Sequence, residues 1–193
     1  MVDLLADDDA SVPPVMAELW ARAVTKRARD LDSQRAEYDK FVRMADRADP
    51  PIDDRDVQLR FYDWWAAQAA LLSASAQLQS WCRRMAEDVG APYEWDETLV
   101  DLRNAIEHLS VARFEDAEAR PKPVGDRSLR RLKSLLIGSH GRSRLLFGKI
   151  DPDVLVARAQ RVLGDANDVR WPDPDEDEIA DYLADLRSRA LDY

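Results

Sequence analysis

Two long apolar stripes joined by a proline pair constrain this chain more than any other feature. From Val15 onward, Met16, Leu19, Trp20, Ala23, Val24, Leu31, Tyr38, Phe41, Val42 and Ala45 recur at intervals of three and four. That is the period of an amphipathic α-helix. Pro13 and Pro14 suit its first turn, behind an N-cap at Ser11. The helix must end before Asp49-Pro50-Pro51, because a residue that precedes proline is pushed out of the helical region. A second stripe follows from about Asp54 to Val89: Phe61, Trp64, Trp65, Leu71, Leu72, Leu78, Trp81, Cys82, Met85 and Val89, with Gly90 as its stop. Two such helices across a short turn predict an antiparallel hairpin. Pairing alone leaves part of each stripe wet, so further helices or a second subunit must cover it.

The rest of the chain is shorter in grain. A third helix is expected near Asp96 to Glu118, with Asp96 as N-cap and Leu99, Leu102, Ile106 and Leu109 as its apolar face. Ala119 to Asp126 reads as a loop. The apolar runs Leu132–Ile137 and Arg144–Ile150 flank Gly138-Ser139-His140-Gly141-Arg142-Ser143 and read as a β-hairpin, although Arg130 to Leu136 can also begin as a helix. Asp151-Pro152 opens a helix to Leu163 with Gly164 as its stop, and Asp175 to about Leu191 forms a last one. The fold class is therefore mainly α: a helical bundle on a long antiparallel hairpin, with a small C-terminal β-hairpin and two shorter helices. Residues 1–10 read as a disordered acidic lead-in, 11–119 as the bundle, and 120–193 as an extension of the same domain.

Composition narrows the function. The chain of 193 residues is 46% hydrophobic with six tryptophans, enough for a core. A net charge of −10 argues against a surface that coats nucleic acid generally, but leaves room for a local basic groove. The single Cys82 excludes an internal disulfide framework and a cysteine-built zinc site, and its apolar helical setting suits a buried structural thiol. No long uncharged apolar run predicts a membrane span. The acidic start, Met1 to Asp9, lacks the basic and apolar regions of a signal peptide, so a cytoplasmic protein is expected.

One stretch carries chemistry: Asp101-Leu102-Arg103-Asn104-Ala105-Ile106-Glu107-His108. The chain has two histidines, and this one stands near an arginine and an amide on one helix. Histidine transfers protons at neutral pH, and arginine grips phosphate through a fixed fork of donors. RNA carries its own nucleophile, the 2′-hydroxyl. Cleaving it needs a base, an acid and a cation to stabilise the phosphorane. His108 can move the protons, Arg103 can hold the non-bridging oxygens, and Asn104 can orient the phosphate or the histidine. Asn104 and His108, four apart, share a helix face. Arg103 and His108, five apart, are separated by roughly 140° and do not make a site on one helix alone.

The order arginine, polar residue, three residues, histidine at Arg103-Asn104 and His108 resembles the signature of the HEPN superfamily. These are small helical-bundle domains, many of them metal-independent ribonucleases of toxin–antitoxin and antiphage systems. The resemblance implies a homodimer that brings two copies of the motif to one cleft, an RNA substrate, no cofactor, and an antitoxin or defence-system protein as partner. Arg103, Asn104 and His108 become the catalytic residues on this reading. Family toxins controlled by nucleotidyltransferase antitoxins carry a tyrosine two residues after the histidine. Here that position is Ser110, so control by that route is not expected.

Other features weigh less. The basic residues Arg127, Arg130, Arg131 and Lys133, with Arg120 and Lys122, form the largest local positive patch, read either as a solvated face or as an RNA-backbone contact through Lys122, Arg127, Arg130, Arg131 and Lys133. Gly138 to Ser143 lacks the lysine and spacing of a P-loop and reads first as a plain turn. Trp64, Trp65 and Trp81 suit a core or a subunit interface better than a base-stacking platform. Asp173, Asp175 and Asp177 alternate as in a calcium loop but lack its glycine and its terminal glutamate spacing, so no metal site is assigned. The leading expectation is a metal-independent endoribonuclease. The alternatives are a non-catalytic helical interaction or assembly module, and a phosphate-ligand sensor built on the basic segment.

Overall fold

The computed structural model describes residues 12–45, 47, 53–116, 118–122, 127–137 and 144–166. Helix α1 spans Val12–Ala45 and α2 spans Asp54–Asp88. At 34 and 35 residues, each is about 50 Å long. They pack against each other along their length as an antiparallel pair. Asp53 caps α2 with Oδ1 accepting the Arg55 N–H at 2.9 Å, and Gly90 takes φ +67 just past its end. The Gly90 stop was legible in the sequence, whereas the Asp53 cap emerges only from the structure. The expected N-cap Ser11, the acidic lead-in and the proline pair lie outside the described residues.

The buried face of α1 is narrower than the stripe of large side chains implies. Ala17, Ala21, Val24 and Leu31 are buried, while Leu19 stays 48% exposed. Ala74 and Ala76 are buried on α2 beside Leu71, Leu72 and Leu78. The core of these helices thus mixes small side chains with Val24, Leu31, Leu71, Leu72 and Leu78, which are buried just as deeply. Full burial on α1 stops at Leu31 and on α2 begins at Gln68. Beyond those positions, half-buried rings hold the pair together: Tyr38 stacks on Trp64 at 5.6 Å, and Phe61 meets both edge-on.

Helix α5 (Pro152–Ala166) lies against α1, and α3 (Glu97–Glu107) lies against α2. Asp96 caps α3 as expected, with Oδ1 accepting the Leu99 N–H at 3.1 Å. The helix ends at Glu107, however, well short of Glu118. The apolar stripe explains why: after Leu109, the next positions on that face are Arg113 and Asp116, which have nothing to bury. The chain instead makes a 3₁₀ turn at Leu109–Val111 and two short strands, β1 (Arg113–Glu115) and β2 (Glu118–Arg120).

These strands pair antiparallel with Phe114 opposite Ala119, and Asp116 sits at φ +50 in the turn. Helix α4 (Arg127–Leu132) follows, then β3 (Leu135–Leu136), which adds to β2 with Leu135 opposite Ala119. A small antiparallel sheet is present as the fold class requires, but its strands come from 113–136. The run 144–150 forms no strand of that sheet: it meets β3 where the Leu136 N–H donates to the Phe147 carbonyl at 3.4 Å, and closes its own bridge between Leu146 and Ile150. Phe147 at φ +48 and Gly148 at φ +74 make that turn too tight for a strand. Gln68 pins it to α2 by accepting the Phe147 N–H at 3.1 Å. The expected Gly-rich turn 138–143 and the helix expected from Asp175 lie outside the described residues. No described helix is long and apolar enough to cross a membrane.

Candidate functional site

The motif sits at the C-terminal end of α3. Leu99, Leu102 and Ala105 turn inward and are buried, together with Asp101. That orientation leaves Arg103 and Asn104 half-buried on the flanks and His108 exposed. His108 is the C-cap at φ −109 and ψ 21, one residue beyond the last helical position. Its backbone N–H still reaches the Asn104 carbonyl at 3.1 Å, so Asn104 and His108 remain on one turn. Arg103 is engaged locally: its Nη2 lies 2.8 Å from Glu107 Oε1, with the two side chains 37% and 47% exposed.

Helix α4 packs against α3, so the basic segment and the motif are neighbours in space. Within that segment, Lys122, Arg127, Arg130, Arg131 and Lys133 are all exposed. Arg131 has a structural task that the sequence did not reveal. Its Nη1 donates to both oxygens of Asp101, at 3.4 and 3.3 Å, and lies 4.0 Å from Glu97. The Asp101 side chain is 10% exposed, so the pair ties α4 to α3 across a half-dry contact. Arg120 is likewise taken up by Glu115 and Glu118 within the hairpin. Lys133 holds φ +68, a left-handed conformation that closes α4.

The tryptophans belong to the packing: Trp64, Trp65 and Trp81 lie half-buried against the core, with Trp65 edge-on to Phe147 at 5.5 Å. Among the described residues, no group of three or more His, Cys, Asp or Glu is placed to hold a metal.

A second location escaped the sequence reading. A cleft of about 350 Å³ opens between α2, the loop 89–96 and α5, lined by Gln79, Cys82, Tyr93, Glu94, Arg158 and Arg161 among others. Arg158 Nη1 donates to Asp96 Oδ2 at 2.9 Å. Burial pushes the Tyr93 phenol up to about 12, with the nearby Cys82 and Asp96 adding to it against Arg158 and Arg161. Burial also raises the pKa of the half-buried Cys82 thiol, which is free. The only signal in the sequence was the pair of arginines three apart on the polar face of α5. Arg103, Asn104 and His108 do not line this cleft. No protein-family model, curated protein or solved structure matches the chain.

Proposed function

We propose that this chain is a HEPN-like helical protein that cleaves RNA at a composite site formed between two copies of α3. One observation supports the reading most directly. The buried face of α3 leaves Arg103, Asn104 and His108 toward solvent, with exposed arginines of α4 alongside. His108 of one copy takes the 2′-hydroxyl proton, and the 2′-oxygen attacks the adjacent phosphorus. The bond to the 5′-oxygen breaks, and a second His108 protonates that oxygen. Arg103 holds the non-bridging oxygens as charge builds on them. The products are a 2′,3′-cyclic phosphate and a 5′-hydroxyl. No step calls on a metal or a cofactor. A toxin or antiphage role, with a protein partner that restrains it in the cytoplasm, belongs to the same reading.

The experiment is cleavage of a single-stranded RNA in EDTA with the termini identified by mass spectrometry. The expected result is a cyclic phosphate, no cutting of strands lacking the 2′-hydroxyl, and loss of activity in His108→Ala and Arg103→Ala. Neither substitution should lower the melting temperature by more than a few degrees, since neither side chain is part of the buried face. Activity only with magnesium, cleavage of DNA, or a monomer at micromolar concentration in sedimentation would refute the mechanism.

A second reading is favoured by the Arg103–Glu107 ion pair: the motif arginine serves the helix surface, and the protein is a non-catalytic interaction module. Intact dimers without any cleavage would select it.

A further inference from the structure

The cleft between α2 and α5 plays no part in the RNA-cleaving reading, and its build is that of a ligand site. Its volume of about 350 Å³ falls within the range of small-molecule sites, roughly 300 to 1,000 Å³. Its apolar side is made by the half-buried Val162, Tyr93 and Cys82, backed by the buried Leu78, Leu99 and Leu155. One wall is braced. Gln79 Nε2 donates to the Asp96 carbonyl at 3.2 Å, and its Oε1 accepts the Asp96 N–H at 3.0 Å. The Asp96 carboxylate is occupied at both oxygens, one by the Leu99 N–H and the other by Arg158. Arg158 is thereby held at the cleft through one of its donors, leaving the rest of its fork for another acceptor. Arg161, three residues on, is exposed and makes no ion pair among the described residues.

We infer that this cleft binds a small organic carboxylate, with its head group on Arg158 and Arg161 and its apolar body against the half-buried Val162, Tyr93 and Cys82. A planar carboxylate matches the guanidinium fork. A bare phosphate gains nothing from the apolar lining, and it costs more to bring beside the carboxylate of Glu94, which shares the rim. Tyr93 and Cys82 stay protonated at neutral pH, so they add no competing negative charge, and the Tyr93 hydroxyl can donate to the head group.

The test is calorimetric titration of the full chain with octanoate, 1-octanol and inorganic phosphate. Octanoate should bind at one site. Octanol, which lacks the charge, and phosphate, which lacks the body, should each bind about tenfold more weakly or not at all. Arg161→Gln loses no ion pair, so it should keep the melting temperature and weaken octanoate about tenfold. Bound octanoate should also slow alkylation of Cys82 by N-ethylmaleimide, because that thiol lines the cleft. His108→Ala should leave octanoate affinity unchanged, so failure here and failure of the RNA-cleaving reading are separate results. Octanoate that binds no better than octanol, or equally well to Arg161→Gln, would overturn the inference.

Discussion

Glu107→Gln is the sharpest probe of the motif, because one reading of Arg103 predicts tighter RNA binding and the other predicts no change. Glu107 Oε1 sits 2.8 Å from Arg103 Nη2, with the side chains 47% and 37% exposed. An exposed pair four apart on a helix contributes about 0.3–0.5 kcal/mol. Glu107 is also the last residue of α3, where a negative charge opposes the helix dipole at a cost of about 0.3–1 kcal/mol. The terms nearly cancel, so the melting temperature should move by less than about 2 °C. For RNA the terms add. Arg103 no longer needs to leave a partner, and a carboxylate no longer faces the incoming phosphate. Releasing the pair and removing a repulsion of up to ~1 kcal/mol should tighten binding about two- to fivefold. The assay is fluorescence anisotropy with an RNA whose scissile 2′-hydroxyl is replaced, at low and high salt. The gain should shrink as salt rises. If Glu107→Gln binds RNA no more tightly and Arg103→Ala binds no more weakly, Arg103 does not meet phosphate and the site assignment fails.

Two predictions concern the scaffold. Gln68→Ala should destabilise the protein by about 1–3 kcal/mol in chemical denaturation, because the Phe147 N–H loses its acceptor in a buried setting; a loss below the resolution of the measurement would mean that the 144–150 turn is held by packing alone. Above pH 10 the fold should weaken through Tyr93, whose ordinary value of 10 is raised to about 12 by burial. The folded state holds this proton more tightly than the unfolded state, so the stabilisation is complete below pH 10 and is lost as pH rises toward 12. Ultraviolet titration should show one tyrosine ionising last, and Tyr93→Phe should remove both that step and the matching part of the stability loss.

The helices were legible where the sequence carried its own punctuation. Asp96 caps α3 and Gly90 follows the end of α2, as their residue types mark. What was not legible is which side of α1 is buried. The period placed Leu19 in the stripe, yet it is 48% exposed while Ala17 and Ala21, outside that stripe, are fully buried. Hydrophobicity scores a residue by its own transfer energy, whereas burial on a helix packed against two others depends on where those neighbours lie. The sheet was misplaced for a related reason. Leu132–Ile137 and Arg144–Ile150 look like partners because they are adjacent and largely apolar, but Ala119, 0% exposed, is the residue that receives Leu135. A buried alanine in the short strand Glu118–Arg120 gives too weak a signal to outrank a leucine run.

The candidate site was legible only as residue types. Arg103, Asn104 and His108 stand where the helix period puts them, away from Leu99, Leu102 and Ala105. Their partners are set by contacts that local sequence does not encode. Arg131 looked like a free cation in a basic run, and it is committed to Asp101, thirty positions earlier in the chain. That pair changes how the basic patch should be weighed. Asp101 is mostly buried, so withdrawing Arg131 to bind RNA leaves a carboxylate without its counter-charge in a half-dry contact, a cost larger than an exposed phosphate contact returns. Arg103 faces no such penalty, because both members of its pair remain in water when it opens. Among these arginines, then, Arg103 can exchange a carboxylate for a phosphate at low cost while Arg131 cannot, and RNA contact should depend on the first far more than on the second.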